Sequence, residues 1–599
     1  MRKLFLIFYI LFFLTLIQIS SQTLNPETIE YRYWIYFKDK GVYKPGETIE
    51  AGSDAYKIAV SGLSDKAIWR RSKVLGENKI VSYIDLPVNP DYIEKVKSLG
   101  VKPHAISKWF NAVSVQVLKG KLDEIKKLPF VEKIEGVHFL ETVKILFSSK
   151  KVFPSSHDIK SNTKYNYGFS YWQNEQINVT RLHNFGITGY GVRVGMCDDG
   201  FNWRNHQALK TRKVLGEYDW IFKDDSTLNQ TPPNQVPADV WDQDGHGTAT
   251  MSSLGGYYPG KFVGPAFDVE FYLSKTENDA TETPVEEDFY LEAVEWMEAN
   301  GIEVISSSLI YKPYDPPNNG YTYKDMDGKT TVIVRAADIA ASLGIVVLNS
   351  MGNEYQTEPP SIVSPPDGEH VIAVGAVDSA GRIAYFSSNG PTSDGRTKPD
   401  VVAMGVDVYT AVSLTSSLND SAYSYSSGTS FSCPLTSGVC ALVLSAHPEL
   451  TPDQVKEALK MTANNKDNPN NVYGWGLVNA YDAALYYGMI MSNKPEISVK
   501  EESVEFTIYV ISKDKIEPTS VKINYIIDNE KKFAQMELDE KINETNSGKY
   551  KVILPVNIIS NPITFYFSAS DTKSSVMVPY NAPNKFFYYN QETKAVEIF

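Results

Sequence analysis

A serine, a histidine and a pair of aspartates stand in this chain where each could act as nucleophile, base or acid. The serine lies in Gly428-Thr429-Ser430-Phe431-Ser432-Cys433-Pro434, where a strand-end turn hands over to an apolar run. Leu435, Val439, Leu442 and Val443 recur at helical spacing, and Pro434 suits a first turn, where a missing N–H costs nothing. Ser430 is thereby placed at a helix N-terminus, whose free N–H groups and positive dipole end favour negative charge beside the hydroxyl. A serine hydroxyl still needs a base. The candidate is His246, framed by glycines in Asp242-Gln243-Asp244-Gly245-His246-Gly247-Thr248. A third member ends the short apolar strand Val192-Arg193-Val194-Gly195-Met196-Cys197, which runs into Asp198-Asp199-Gly200. An acid at the C-terminal end of a strand can hold an imidazole in one tautomer.

Each segment alone has an ordinary reading: Gly-Thr-Ser as a turn, a strand-end Asp as a helix cap, Asn after Gly as a turn residue tolerating positive φ. The order Asp, His, Ser along the chain is that of the subtilisin arrangement, and differs from those of chymotrypsin and the α/β-hydrolases. At these residues the chain resembles the subtilisin-like serine peptidase family. The family's Asp-Ser/Thr-Gly, His-Gly-Thr and Gly-Thr-Ser-Met-Ala-x-Pro segments read here as Asp198-Asp199-Gly200, His246-Gly247-Thr248 and Gly428 to Pro434. The resemblance implies Asp198 as the acid, His246 as the base and Ser430 as the nucleophile. Asp199 is expected to add a second negative charge that favours protonated His246. Ser350-Met351-Gly352-Asn353-Glu354, after the apolar strand Gly344 to Leu348, resembles the family's Gly-Asn block and implies that Asn353 completes an oxyanion hole. The family's substrate-binding strand ends in Ser-Leu-Gly, whereas Ser308-Leu309-Ile310 carries isoleucine where glycine lets substrate backbone approach. These three and Gly352 are the expected substrate-binding positions. Phe431 and Ser432 replace the family's Met and Ala at positions that carry no chemistry.

Bulk properties bound the rest. At 599 residues the chain is too long for one core, and a net charge of −14 argues against nucleic-acid binding. Met1-Arg2-Lys3, the apolar run Leu4 to Ile17 and Ser20-Ser21 read as a secretory signal peptide over residues 1–21, with an uncleaved anchor as the alternative. No other apolar stretch is expected to be long enough to cross a bilayer, so the product is expected to be secreted, periplasmic or at the cell surface, with no membrane attachment after cleavage. Cys433 and Cys440 are two helical turns apart, too far to bond, and with Cys197 they are expected as buried free thiols; no zinc pattern exists.

Residues 22–164 form a charged N-terminal region. Within it Lys79 to Leu86 reads as strand, Asp91 to Leu99 as helix, Asn111 to Val117 as strand, Leu122 to Leu128 as helix and Val131 to Val137 as strand, a small domain over about 79–140. Its position resembles that of the inhibitory propeptide of subtilases; an accessory domain is the alternative. Lys150-Lys151 and the polar run to Lys164 read as an exposed linker and processing region. In residues 165–488, helices at Glu286 to Asn300 and Thr330 to Leu343 each end before a glycine and an apolar strand, and Thr451-Pro452-Asp453-Gln454 is a capping box. That pattern predicts a parallel sheet with sites at its strand C-terminal ends. In residues 489–599, Glu502 to Ser512, Val521 to Asp528, Lys549 to Pro555 and Ile563 to Ala569 alternate apolar and polar residues between turns. The expectation is an α/β protein: a subtilisin-like parallel sheet with helices on both faces, preceded by a small α+β propeptide domain and followed by an immunoglobulin-like β-sandwich. Its expected activity is that of a secreted serine endopeptidase working through an acyl-enzyme. Protein or peptide substrates and its own propeptide are the expected partners. No cofactor or metal is required for the chemistry. The resemblance allows structural calcium, with no ligands assigned.

Overall fold

The computed structural model describes residues 30–136 and 163–598, except 233, 236, 241, 313, 316–319, 415–419, 528–529, 556–562 and 591–594. The expected signal peptide and the Lys150-Lys151 linker lie outside the described residues. Packing divides the chain into two bodies, Met1–Ala59 with Val81–Phe139, and Val60–Ile80 with Leu140–Phe599.

The first body is an antiparallel sheet of β1 (Glu30–Phe37), β2 (Pro103–Ser107), β3 (Ala112–Leu118) and β4 (Val131–Gly136), in the order β2-β3-β1-β4. Helices Pro90–Lys97 and Leu122–Lys126 contribute Val96, Leu122 and Ile125 to one core with Ile35, Val113 and Val115. The strand expected at Lys79 to Leu86 does not form. Those residues make two tight turns, Glu77–Lys79 and Tyr83–Asp85, and the central strand is β1, upstream of the expected domain. The sequence of β1, Glu-Tyr-Arg-Tyr-Trp-Ile-Tyr-Phe, ends in five consecutive buried residues, so it lacks the apolar/polar alternation of a half-exposed strand.

The second body is built on a seven-stranded parallel sheet. Its strands are β5 (Arg193–Asp198), β6 (Lys213–Asp219), β7 (Glu270–Lys275), β8 (Val304–Ser307), β9 (Val346–Ser350), β10 (Ile372–Val377) and β11 (Val401–Met404), in the order β11-β10-β9-β8-β5-β7-β6. Its longer helices are α1 (Asp65–Leu75), α2 (Gly245–Gly255), α3 (Val285–Ala299), α4 (Val332–Ser342), α5 (Thr429–Ala446) and α6 (Pro452–Thr462). Both sheet faces are covered. A Cβ on Gly195 would strike Met297 of α3, whereas its neighbours Val194 and Met196 belong to the core that includes Leu442 and Val443 of α5. Every residue of α5 is buried. Contrary to the sequence expectation, α5 is long and apolar enough to span a bilayer, but the core takes up its whole surface. Thr451 and Gln454 form the reciprocal cap that opens α6.

The C-terminal part has two antiparallel sheets, one containing Ser503–Ile511 and Gly548–Pro555, the other Lys522–Ile527 and Ile563–Ser570. Phe506, Ile508, Phe565, Phe567 and Phe587 share one core, and burial alternates residue by residue along Ile563–Ser570, as a sandwich requires. Strands Glu530–Gln535 and Glu537–Lys541 escaped sequence detection because they are charged and mostly exposed.

Candidate active site

The C-terminal ends of β5, β8 and β9 and the N-termini of α2 and α5 carry the candidate residues. Asp198 closes β5, where its carbonyl accepts the Thr276 N–H at 2.9 Å. Its buried carboxylate receives three further donors: His246 Nδ1 at 2.6 Å, Thr250 Oγ1 at 2.8 Å and the Asp199 N–H at 3.0 Å. A carboxylate can only accept, so Nδ1 carries the ring proton and Nε2 is left as the acceptor. His246 is the second residue of α2 and is half-exposed. Burial opposes a charge on its ring, but the charge and hydrogen bond of Asp198, helped by Asp279 and Asp242, outweigh this and hold its pKa above the ordinary value.

Asp199 takes different partners from Asp198. Its carboxylate turns away from the imidazole to accept the N–H groups of His246 (2.9 Å) and Gly247 (2.7 Å), satisfying two unpaired donors of the first turn of α2. Burial first, then Asp198 and Asp279, push its pKa well above the usual carboxylate range. Gly247 is needed for this closure. A Cβ there would lie 2.0 Å from the Gly200 carbonyl oxygen.

Ser430 occupies the first turn of α5, nearly buried, and its hydroxyl bonds to no other described residue. Asn353 follows β9. Its Oδ1 accepts from Thr429 N at 2.9 Å and from Thr429 Oγ1 at 3.0 Å, which fixes the amide so that Nδ2 is the free end. A methyl placed on Gly428 would lie 3.6 Å from that Nδ2 and 3.7 Å from the Ser430 N. Two donors therefore border one small space beside Ser430. Phe431 packs near the imidazole, with ring centroids 6.1 Å apart.

The expected substrate-binding positions lie at the same sheet end. Ser308 Oγ donates to the Ser430 carbonyl at 2.9 Å, the Leu309 carbonyl accepts from Asn349 Nδ2 at 2.8 Å, and Ile310 is half-buried after them. Gly352 has φ of 96°, and a Cβ there would come within 3.0 Å of Ser388 Oγ and Val363 Cγ2. Sequence reasoning missed Thr250, Thr429 and Asp279. Thr250 was legible in principle, since it stands one helical turn after His246 on the same face of α2. Asp279 is in an irregular loop, where spacing carries no signal.

One carboxylate cluster adjoins the site. Glu277, Glu282 and Glu286 each bring an oxygen within 4.8 Å of the others, a set that could surround a cation. Burial and the Glu282 charge push Glu286 up to about 9, and burial with the Glu286 charge raises Glu277 well above its ordinary value, so shared protons can also hold the cluster together.

Against known proteins, a profile described as "Subtilase family" matches residues 189–476, and one described as "Peptidase S8 propeptide domain, Bacteroidota" matches residues 32–152. Subtilisin of Bacillus pumilus is 32% identical over 311 residues, covering 52% of this chain and 96% of the relative. The chain belongs to the subtilase family. Serine protease AprX of Bacillus subtilis (strain 168) is 33% identical over 320 residues, 49% of this chain and 66% of AprX. Among solved structures, fervidolysin of Fervidobacterium pennivorans superposes with a TM-score of 0.50 at 20% identity, over 90% of this chain and 70% of that one, which is a likeness of fold. As a subtilase the chain is a serine endopeptidase, and its N-terminal region is a subtilase propeptide.

Proposed function

We propose that this subtilase is a secreted endopeptidase whose triad is Asp198, His246 and Ser430. His246 Nε2 takes the Ser430 hydroxyl proton as Oγ attacks the substrate carbonyl carbon. Asp198 keeps Nδ1 protonated and stabilises the imidazolium that forms. The carbonyl oxygen becomes an oxyanion beside Asn353 Nδ2 and the Ser430 N–H, donors that strengthen as charge develops. The imidazolium then protonates the leaving amine, which departs and leaves an ester on Ser430. His246 next deprotonates water, which attacks that ester and releases the acid product. The observation that carries this reading is the 2.6 Å His246 Nδ1 to Asp198 bond at the sheet end where α5 begins with Ser430. Secretion rests on the basic and apolar start of the chain.

Ser308, Leu309, Ile310 and Gly352 border the substrate backbone in this reading, and Ile310 narrows the groove where the family has glycine. Residues 22–164 supply the inhibitory propeptide, residues 165–488 the catalytic domain and residues 489–599 an attached β-sandwich. Ser430→Ala is expected to lower turnover by about 10⁶. Steady-state hydrolysis of a fluorogenic peptide measures this, and a variant that kept one hundredth of the wild-type rate would remove Ser430 from the nucleophile's role.

A further inference from the structure

Helix α1 belongs to the propeptide sequence but packs into the protease. Residues Val60–Ile80 fall in the second body, while the propeptide residues on either side fall in the first. Ser64 opens α1 by accepting the Ala67 N–H, and its own N–H donates to Ala299 O, the last residue of α3, at 2.8 Å. The helix then delivers two arginines that are completely buried, Arg70 and Arg71. The Arg70 guanidinium donates to the carbonyls of Leu343 (3.1 Å), Glu298 (3.2 Å) and Ile302 (2.6 Å), and to the Glu298 carboxylate. Arg71 grips the same carboxylate through two bonds of 2.7 and 2.6 Å, and donates to Ile80 O at 2.9 Å. A wholly buried carboxylate on the protease is thus gripped by two guanidinium charges from the propeptide, and a buried ion left without such partners is strongly unfavourable.

The backbone fits as closely as the charges. Gly301 and Gly344 end α3 and α4 at positive φ, and a Cβ on either would come within 2.8 Å of Lys66 Cβ or 3.1 Å of Arg70 O, respectively. At the outer edge Lys66 Nζ pairs with Glu303 at 2.7 Å, and Trp69 meets Tyr580 of the β-sandwich edge to face, 6.1 Å between centroids. The contacts with Glu298, Ala299, Gly301, Ile302, Glu303, Leu343 and Gly344 lie before β8 and β9, at the N-terminal ends of the strands, whereas the candidate catalytic residues follow the C-terminal ends. Glu303 to Ser308 alone spans roughly 16 Å of extended chain.

We propose that α1 is a second docking element of the propeptide, independent of the active-site groove, which keeps the N-terminal region bound to the protease after the chain between residues 136 and 163 has been cut. Cutting that linker then leaves the propeptide at a high effective concentration near the groove, because one of its segments remains seated. Release needs a further cut beside α1 or unseating of the Arg-Glu-Arg cluster. The proposal rests on the propeptide reading of this region but not on the catalytic roles proposed above, so its test can use an inactive chain.

Full-length Ser430→Ala protein, given a site for an unrelated protease within residues 137–162, is nicked and diluted, and release of the N-terminal fragment is followed by size exclusion over time. The expected result is co-elution of the two pieces. In nicked Arg70→Ala/Arg71→Ala, release is at least 100-fold faster. The variant Lys66→Glu, which leaves Arg70 and Arg71 in place, releases about 10-fold faster. Thermal melts of each uncut variant show whether the protein is folded before nicking. Prompt separation of the nicked parent protein overturns the proposal, and so do release rates that are the same in the parent, Lys66→Glu and a chain whose residues 62–78 are replaced by a Gly-Ser linker.

Discussion

The His246 imidazole is surrounded here by groups that favour its protonated form. Asp198 is indispensable to that arrangement, but Asp279 and Asp242 act on His246 through charge alone. Asp279→Asn removes one negative neighbour, so the His246 pKa falls and the acid limb of the kcat/KM profile moves to lower pH, by roughly a few tenths of a unit, with the plateau nearly unchanged. A profile that stays in place would show that Asp279 is screened from the ring. Asn353→Ala should lower kcat by about 10²–10³ with little change in KM, because its amide meets the oxygen best once that oxygen is charged. A destabilised variant with its catalytic constant intact would make Asn353 a turn residue that merely holds Thr429. At this scale the sequence carried the residue types and their order but not their orientation. Asp198 and Asp199 are neighbours of one type, and only the direction of each carboxylate makes one a partner of the imidazole and the other a cap for α2.

The carboxylate at the start of α3 has two opposed influences. A helix N-terminus favours negative charge, yet burial of Glu286 raises its pKa from an ordinary 4.5 to about 9. A folded pKa above the unfolded one means that the native state binds the proton more tightly, so this contribution is complete below pH 4.5 and is lost as pH rises toward 9. Glu286→Gln should therefore raise Tm above pH ~8 by on the order of a few degrees and give no gain at acid pH. A chelator that lowered the wild-type Tm, with Glu286→Gln losing the effect, would instead place a cation among the three glutamates. Legibility at this scale followed periodic apolar spacing and caps. Helices α3, α4 and α6 and the main sandwich strands each show a polar face or a cap, and their periodicity marked them correctly. Strand β1 is buried along its second half and carries no such pattern. Arg70 and Arg71 in α1 look in sequence like part of a solvated face, and only the tertiary fold shows them packed around Glu298.

The central position of β1 changes what counts as the propeptide. Its partners β3 and β4 lie on either side of it, so a fragment of residues 79–137 lacks the middle of its own sheet. A fragment of residues 22–136 added in trans should slow peptide hydrolysis by the mature enzyme, whereas residues 79–137 should not; equal inhibition by both would show that β1 is dispensable. The three thiols add a further consequence. Cys197, Cys433 and Cys440 are the only cysteines in the chain, all are buried and unbonded, and burial pushes each well above its ordinary pKa, Cys433 to about 12. Thiolate is the reactive form, so the native protein should be silent toward maleimides. A single cysteine introduced on an exposed loop would then take up a fluorophore at that position alone, and a dye on each side of the linker would turn departure of the propeptide into an optical signal that can be timed in a cuvette.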